Sequence, residues 1–302
     1  MSETLEQRIA DALDRPVRDE VARYAASLGT QAGAEAVLFY GSNLRTGSLD
    51  GVLDFYILLP GSQAERIWPK VSYEEWEHQG ETLRAKIATM STGKFAEAAR
   101  GESRDTTIWT RFVQPCTLAW ASGTEARGNV LTALQDAAKT ATRFAAALGP
   151  SGGAAEDYWR ALFQATYRAE FRVEKSGRED SILSVNKAHF DGLLPLAWTA
   201  QGLEYVLENE VLAPRLSGPQ RKAILTEWRA RERLGKPLNI LRLAKATTTF
   251  DGAARYGAWK LERHSGIKLE VTPFREKHPL LAMPGAAWEL WRARRRAGRD
   301  QR

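Results

Sequence analysis

Cysteine is almost absent. The 302 residues contain one, Cys116, so no internal disulfide is available, and the composition predicts a chain suited to a reducing cytoplasm. Histidine is nearly as scarce, with His78, His189, His264 and His278 scattered and without metal-ligand spacing. That argues against a His/Cys metal centre and leaves these four as structural or surface residues. No apolar run approaches the ~18 residues that a membrane-crossing helix needs. The opening stretch Met1-Ser-Glu-Thr-Leu-Glu-Gln-Arg8 mixes charges and lacks the apolar centre of a secretion signal. Internal repeats and low-complexity tracts are also missing.

The positive charge is concentrated in one place. Of the net +6, the last eleven residues carry six Arg against one Asp, or +5, which leaves about +1 for everything before them. A basic stripe with interleaved aromatics is therefore lacking outside the terminus, which speaks against nucleic-acid polymerisation or coating. With 43% hydrophobic and 26% charged residues, the chain has the composition of a globular protein with ample core.

Periodicity divides the chain near its middle. Residues 3–29 read as helix, restarted at Pro16 and ended at Gly29. Ala36–Tyr40 and Val52–Leu59 read as buried strands, Leu83–Met90 as a third and Pro115–Trp120 as a fourth, with Thr92–Arg100 helical between them. Helix Glu125–Leu148 leads into Gly149-Pro-Ser-Gly-Gly153, the clearest linker. Beyond it Trp159–Phe171, Ile182–Leu203, Pro219–Arg233, Pro237–Ala246 and Asp251–His264 all read as helix. The expected fold is α+β. A mixed sheet flanked by helices occupies residues 1–149, a mostly helical domain 154–282, and a basic amphipathic tail 283–302.

The chemistry concentrates in two adjacent strands. The first ends in Phe39-Tyr-Gly-Ser-Asn43, and the second carries Asp54 inside Val52-Leu-Asp-Phe-Tyr-Ile-Leu-Leu59. Gly41 ends a strand where a phosphate must approach the backbone closely, which a residue without Cβ permits. Ser42 and Asn43 offer polar groups to phosphate oxygens. Alternation puts Val52, Asp54, Tyr56 and Leu58 on one strand face and Leu53, Phe55, Ile57 and Leu59 on the other. An acid within an apolar strand is costly unless it is paired or binds a metal. This is the outline of a nucleotidyltransferase site, with Tyr40, Gly41, Ser42 and Asn43 at the triphosphate and Asp54 on the metal. Such sites usually place two acids two residues apart. Here the flanking same-face positions are Val52 and Tyr56, and Asp50 sits only at the strand mouth.

These segments resemble the mitochondrial-type peripheral phosphatidate cytidylyltransferases, the translocator assembly and maintenance protein family. That family has a similar Ala-Tyr-Gly-Ser turn and a lone Asp followed by apolar residues. The likeness continues thinly along the chain. Leu83–Met90 matches a strand, and Trp109-Thr-Arg-Phe-Val-Gln-Pro115 matches a Gly-Arg-Leu-x-x-Pro segment. Thr166-Tyr-Arg-Ala-Glu-Phe-Arg172 is similar to a Ser-Tyr-x-Gly-Asp-x-Arg helix, departing at Ala169 and Glu170, and Arg242–Arg255 resembles a late helical segment. The resemblance implies a nucleotidyltransferase-like fold and the conversion of CTP and phosphatidic acid, with Mg²⁺, to CDP-diacylglycerol and pyrophosphate. It assigns Asp54 to Mg²⁺, Gly41, Ser42 and Asn43 to the β/γ-phosphates, and Arg84 or Lys86 on one face of the third strand to a phosphate clamp. Arg111 and Arg172 are then candidates for lipid phosphate or departing pyrophosphate, since a planar guanidinium fork suits a tetrahedral anion. Lys187 and Lys245 follow them.

The tail, Met283-Pro-Gly-Ala-Ala-Trp-Glu-Leu-Trp-Arg-Ala-Arg-Arg-Arg296, sets Trp288 and Trp291 on one helical face beside Arg292, Arg294, Arg295 and Arg296. Trp with neighbouring cations suits the headgroup layer of an anionic bilayer. The expected setting is thus cytoplasmic, peripheral on the inner face of the membrane. Two further readings stay open: nucleotidyl transfer to another lipid phosphate, phosphonate or alcohol, and an inactive nucleotide-binding module recruited to membranes.

Overall fold

The computed structural model describes residues 3–78, 80–170, 178–249, 252–265 and 271–274. Two helices open the chain, α1 (Leu5–Leu13) and α2 (Asp19–Ala32), followed by β1 (Ala36–Tyr40), a one-turn α3 (Ser42–Thr46) and β2 (Leu53–Leu59). A hairpin of β3 (Lys70–His78) and β4 (Glu81–Ser91) comes next, then α4 (Thr92–Ala99), α5 (Thr107–Phe112) and β5 (Cys116–Ala121). The remainder is α6 (Thr124–Leu148), α7 (Ala155–Ala169), α8 (Arg178–Val185), α9 (Lys187–Phe190), α10 (Leu193–Ala200), the hairpin β6 (Tyr205–Glu208) and β7 (Val211–Pro214), α11 (Gly218–Thr249) and α12 (Ala253–Ser265). The α+β fold expected from periodicity is present: a five-stranded mixed sheet flanked by helices and a mainly helical C-terminal part.

The sheet runs β3-β4-β2-β1-β5, with β2 and β4 parallel and every other pair antiparallel. Alternation gives each strand two unlike faces. On one side Val37, Phe39, Leu53, Phe55, Ile57, Leu83, Ala85 and Ile87 pack against Val21, Tyr24, Ala25 and Leu28 of α2. On the other, Leu38, Tyr56, Leu58, Ala88 and Met90 join a core that extends through α4, α5, α6, α7 and α10 to Trp228 of α11. This apolar core passes Gly149–Gly153 without a break. There Gly153 exchanges two backbone hydrogen bonds with Leu212, of 3.0 and 2.8 Å.

Four differences from the sequence reading appear, and the first three have physical causes. The first helix is two, separated at residues 14–18, and α2 continues past Gly29 to end at left-handed Gly33. Gly29 serves packing instead of termination, since a Cβ there would lie 2.3 Å from the Trp120 ring. The edge strand β3 is absent from the periodicity reading, because Glu74 and Glu77 face water and Glu75 turns to Tyr73 and Arg84, which together obscure its alternation. In the C-terminal part, the two helices expected around Pro237 form one α11 of 32 residues with Pro237 inside it. Two residues before it, Gly235 passes so near the end of α7 that a Cβ would meet the Ala169 carbonyl oxygen at 2.3 Å. Beyond Pro237 the helix is tied down by Arg242 to Asp105 and by Lys245 to Glu65 and to the Ile67 carbonyl. Those anchors offset the one hydrogen bond that proline cannot make. The stretch Ile182–Leu203 is interrupted into α8, α9 and α10, and the β6–β7 hairpin follows it.

Candidate active site

Strand register assembles the centre of the site. Tyr40, the last residue of β1, lies opposite Asp54 on β2, and Asp54 lies opposite Lys86 on β4. Paired residues share a face, so a phenol, a carboxylate and an ammonium form one row across the sheet. Gly41 follows Tyr40 with φ +89° and ψ −162°, a region open only to glycine. The space a Cβ would take there is filled by Asp54, whose Oδ2 would lie 2.7 Å from it. Gly41 also lines the cleft, and its missing Cβ is what admits the carboxylate beside the turn.

The fourth member of the row comes from α5. Asp105 accepts the Thr107 backbone N–H at 2.9 Å and starts that helix. Its buried side fixes its rotation. Phe112 meets Tyr40, Tyr56 and Phe95 edge-on, with ring centroids 5.7, 5.2 and 4.9 Å apart, while Trp109 stacks on Phe144 at 5.4 Å. Burying each such ring contributes about 1.5–3 kcal/mol, which holds the helix in this rotation. Arg111, set between these two anchors, donates to the Tyr40 hydroxyl at 3.2 Å and lies over its ring at 5.2 Å.

These residues open onto a cleft of about 360 Å³. Tyr40, Gly41, Ser42, Asp54, Lys86 and Arg111 line it, so six of the residues singled out from sequence meet in one place. Arg45 adds a third cation, and Ile182 of α8, Asn186 between α8 and α9 and Gln114 just past α5 belong to the same lining. Arg45, Gln114 and Asn186 carried no sequence signal, because their relevance depends on tertiary placement alone.

Other expected site residues lie elsewhere. Asn43 is buried and its amide donates to the Ser48 and Asp50 carbonyls at 2.9 and 2.8 Å, so it shapes the loop rather than facing the cleft. Arg84 shares the face of Lys86 but turns toward the edge, 3.4 Å from Glu75 and beneath the Trp259 ring. Lys187 is exposed at the start of α9 and does not line the cleft. Lys245 is held by Glu65 and the Ile67 carbonyl, away from it. Arg172 and the tail residues Trp288, Trp291, Arg292, Arg294, Arg295 and Arg296 lie outside the described residues.

Electrostatics favours an anionic occupant. Three cations, Arg45, Lys86 and Arg111, line the cleft together with one carboxylate, Asp54. Burial raises the Asp54 carboxyl above the usual carboxylate range, and the charges of Lys86 and Arg111 pull it partly back. Burial likewise raises the Tyr40 phenol, which therefore stays protonated at neutral pH. His189, outside the cleft, is pushed down to about 4 by burial. Neutral, its Nε2–H donates to the Val113 carbonyl at 2.9 Å, pinning α9 beside the end of α5.

Among the described residues no cluster of three or more His, Cys, Asp or Glu side chains forms a protein-built metal cage. No described residue donates a hydrogen bond to the Asp54 carboxylate. A single unsatisfied carboxylate fits a magnesium ion that arrives on phosphate oxygens and keeps its waters, the usual way Mg²⁺ binds with nucleotides. Among the same residues, no helix is long and apolar enough to cross a membrane. No protein-family model matches the chain, and no curated protein matches it.

Proposed function

We propose that this protein transfers a cytidylyl group from CTP to phosphatidic acid, releasing pyrophosphate. The observation that carries the reading is the convergence of the Gly41–Ser42 turn, Asp54, Lys86 and Arg111 on one cleft. The choice of CTP and phosphatidic acid within nucleotidyl transfer rests on the family resemblance of the Tyr-Gly-Ser turn and its lone strand Asp.

The chemistry asks little of the side chains beyond position and charge. An oxygen of the lipid phosphate attacks the α-phosphorus, the bond to the bridging oxygen breaks, and pyrophosphate departs opposite the nucleophile. The acceptor arrives ionised, so no general base is required, and none of the four histidines is needed. Positioning and charge neutralisation carry such a transfer. Lys86 and Arg45 neutralise the polyphosphate, Arg111 holds the incoming or leaving phosphate, and the Ser42 hydroxyl donates to a phosphate oxygen. Asp54 would hold Mg²⁺, which neutralises phosphate charge when bound.

Incubation with labelled CTP, Mg²⁺ and phosphatidic acid micelles tests the reading. Lipid-linked CDP supports it, and another labelled acceptor moves it to a different nucleotidyl transfer. The lone carboxylate favours one alternative, a nucleotide-binding module without turnover, for which CTP binds and stays intact. Reaching a lipid substrate calls for a membrane contact, and the Trp288/Trp291 segment with its arginines supplies one. Each basic residue near an anionic surface contributes ~1 kcal/mol. Deleting residues 285–302 is expected to weaken sedimentation with anionic vesicles by at least about tenfold and to affect the stability of the body less. Unchanged sedimentation rules out a membrane role for the tail.

A further inference from the structure

Two side-chain amides in the lining of the cleft have a recognition chemistry of their own. Gln114 and Asn186 supply them from different elements, one just past α5 and one between α8 and α9. The His189 bond to Val113 holds these elements together. Each side-chain amide is bound in the same manner. Gln114 Nε2 donates to the Thr110 carbonyl at 2.9 Å, and Asn186 Nδ2 donates to the Ile182 carbonyl at 2.8 Å. A carbonyl only accepts, so in both residues the NH₂ must face the backbone and the amide oxygen is the opposite end. Neither oxygen accepts a hydrogen bond from any described residue. Asn186 is only 5% exposed as a residue.

We propose that Gln114 and Asn186 read the nucleobase, presenting two acceptor oxygens to the exocyclic amino group of cytosine. The proposal rests on the nucleotidyl-transfer reading and names the specificity of that site. With the triphosphate against Ser42, Lys86 and Arg45, the base is the uncharged part of the ligand, and Gln114 and Asn186 are the side-chain amides among the described residues that line the cleft. An amino group carries two N–H donors, one for each oxygen. Uracil offers an oxygen at the same position, so three acceptors would converge and leave buried lone pairs unmatched. Mismatches of this kind discriminate strongly, because the site's polar groups lose their partners.

Competition binding on the full chain with Mg²⁺ provides the test. The ligands are CTP, UTP and the pyrimidin-2-one ribonucleoside triphosphate, which lacks the 4-amino group. The parent protein is expected to bind CTP at least about tenfold more tightly than either of the others. Gln114→Met is expected to lose about tenfold toward CTP and to leave the pyrimidin-2-one triphosphate unchanged, so that the preference collapses. Asn186→Met is expected to act in the same direction. If it fails to fold, Gln114→Met decides alone. Equal losses toward both ligands in Gln114→Met would mean that Gln114 only shapes the cleft, and would overturn the proposal. So would a parent protein indifferent to the base, although triphosphate transfer would then survive. A parent that binds none of the three overturns both this proposal and the function it rests on.

Discussion

Asp54→Asn is expected to transfer no nucleotide and to melt at a higher temperature than the parent at neutral pH. The two effects share one cause. Burial raises the Asp54 carboxyl in the folded chain more than Lys86 and Arg111 lower it. Between the unfolded value near 3.9 and the raised folded value, the native state holds more protons than the unfolded one. Stability therefore falls as pH rises through that window, and above it the full penalty of a buried charge remains. Asparagine, nearly the same shape, removes the penalty. The gain in melting temperature should disappear as pH drops below the unfolded value, where the parent is itself neutral. Activity should fall by at least about 10²–10³-fold, the range seen when a group aimed at transition-state charge is removed, which takes transfer to background. Retained turnover would take Asp54 out of the reaction, and a lower melting temperature would show that its attraction to the two cations outweighs burial.

Gly41→Ala is expected to damage both stability and turnover. The backbone at φ +89° costs a residue with Cβ about 1–3 kcal/mol. The added carbon would also sit 2.7 Å from Asp54 Oδ2, closer than any ordinary contact. Because Oδ2 belongs to a short side chain on a central strand, it can yield only by rotating away from its row with Tyr40 and Lys86. Misplacement of a reacting group by about 1 Å can cost on the order of 100-fold. A melting curve and a turnover assay on one preparation check both effects. An alanine variant with the parent's stability and rate would contradict the close approach of carboxylate and turn.

The legible parts of the site were those set by short-range pattern. β1 ends where its apolar run meets Gly41, and period-two alternation put Asp54 and Tyr56 on one face of β2 and Phe55 on the other, as found. Arg84 shows where pattern stops. Its parity with Lys86 was right, but the partner that claims it, Glu75, sits on β3, a strand hidden by its own surface charges. Asn43 reads as a phosphate ligand only while the loop it braces through Ser48 and Asp50 is unknown. Gln114 and Asn186 are ordinary amides in sequence, 72 positions apart, and acquire meaning only when α8 and α9 dock beside α5. Pro237 carried the opposite lesson: a local breaker was overruled by anchors at Asp105 and Glu65, more than a hundred residues away.

The parallel pairing of β2 with β4 gives the oily side of the sheet authority over the charged side. Sliding β4 by one residue would exchange Lys86 for Ala85 or Ile87 in the row with Asp54. The same slip would thrust Leu83, Ala85 and Ile87 out of their bed against β2 and α2. Greasy side chains that never touch a ligand thus act as proofreaders of the ionic balance. Softening them should first blur the alignment of ammonium with carboxylate, well before the protein unravels.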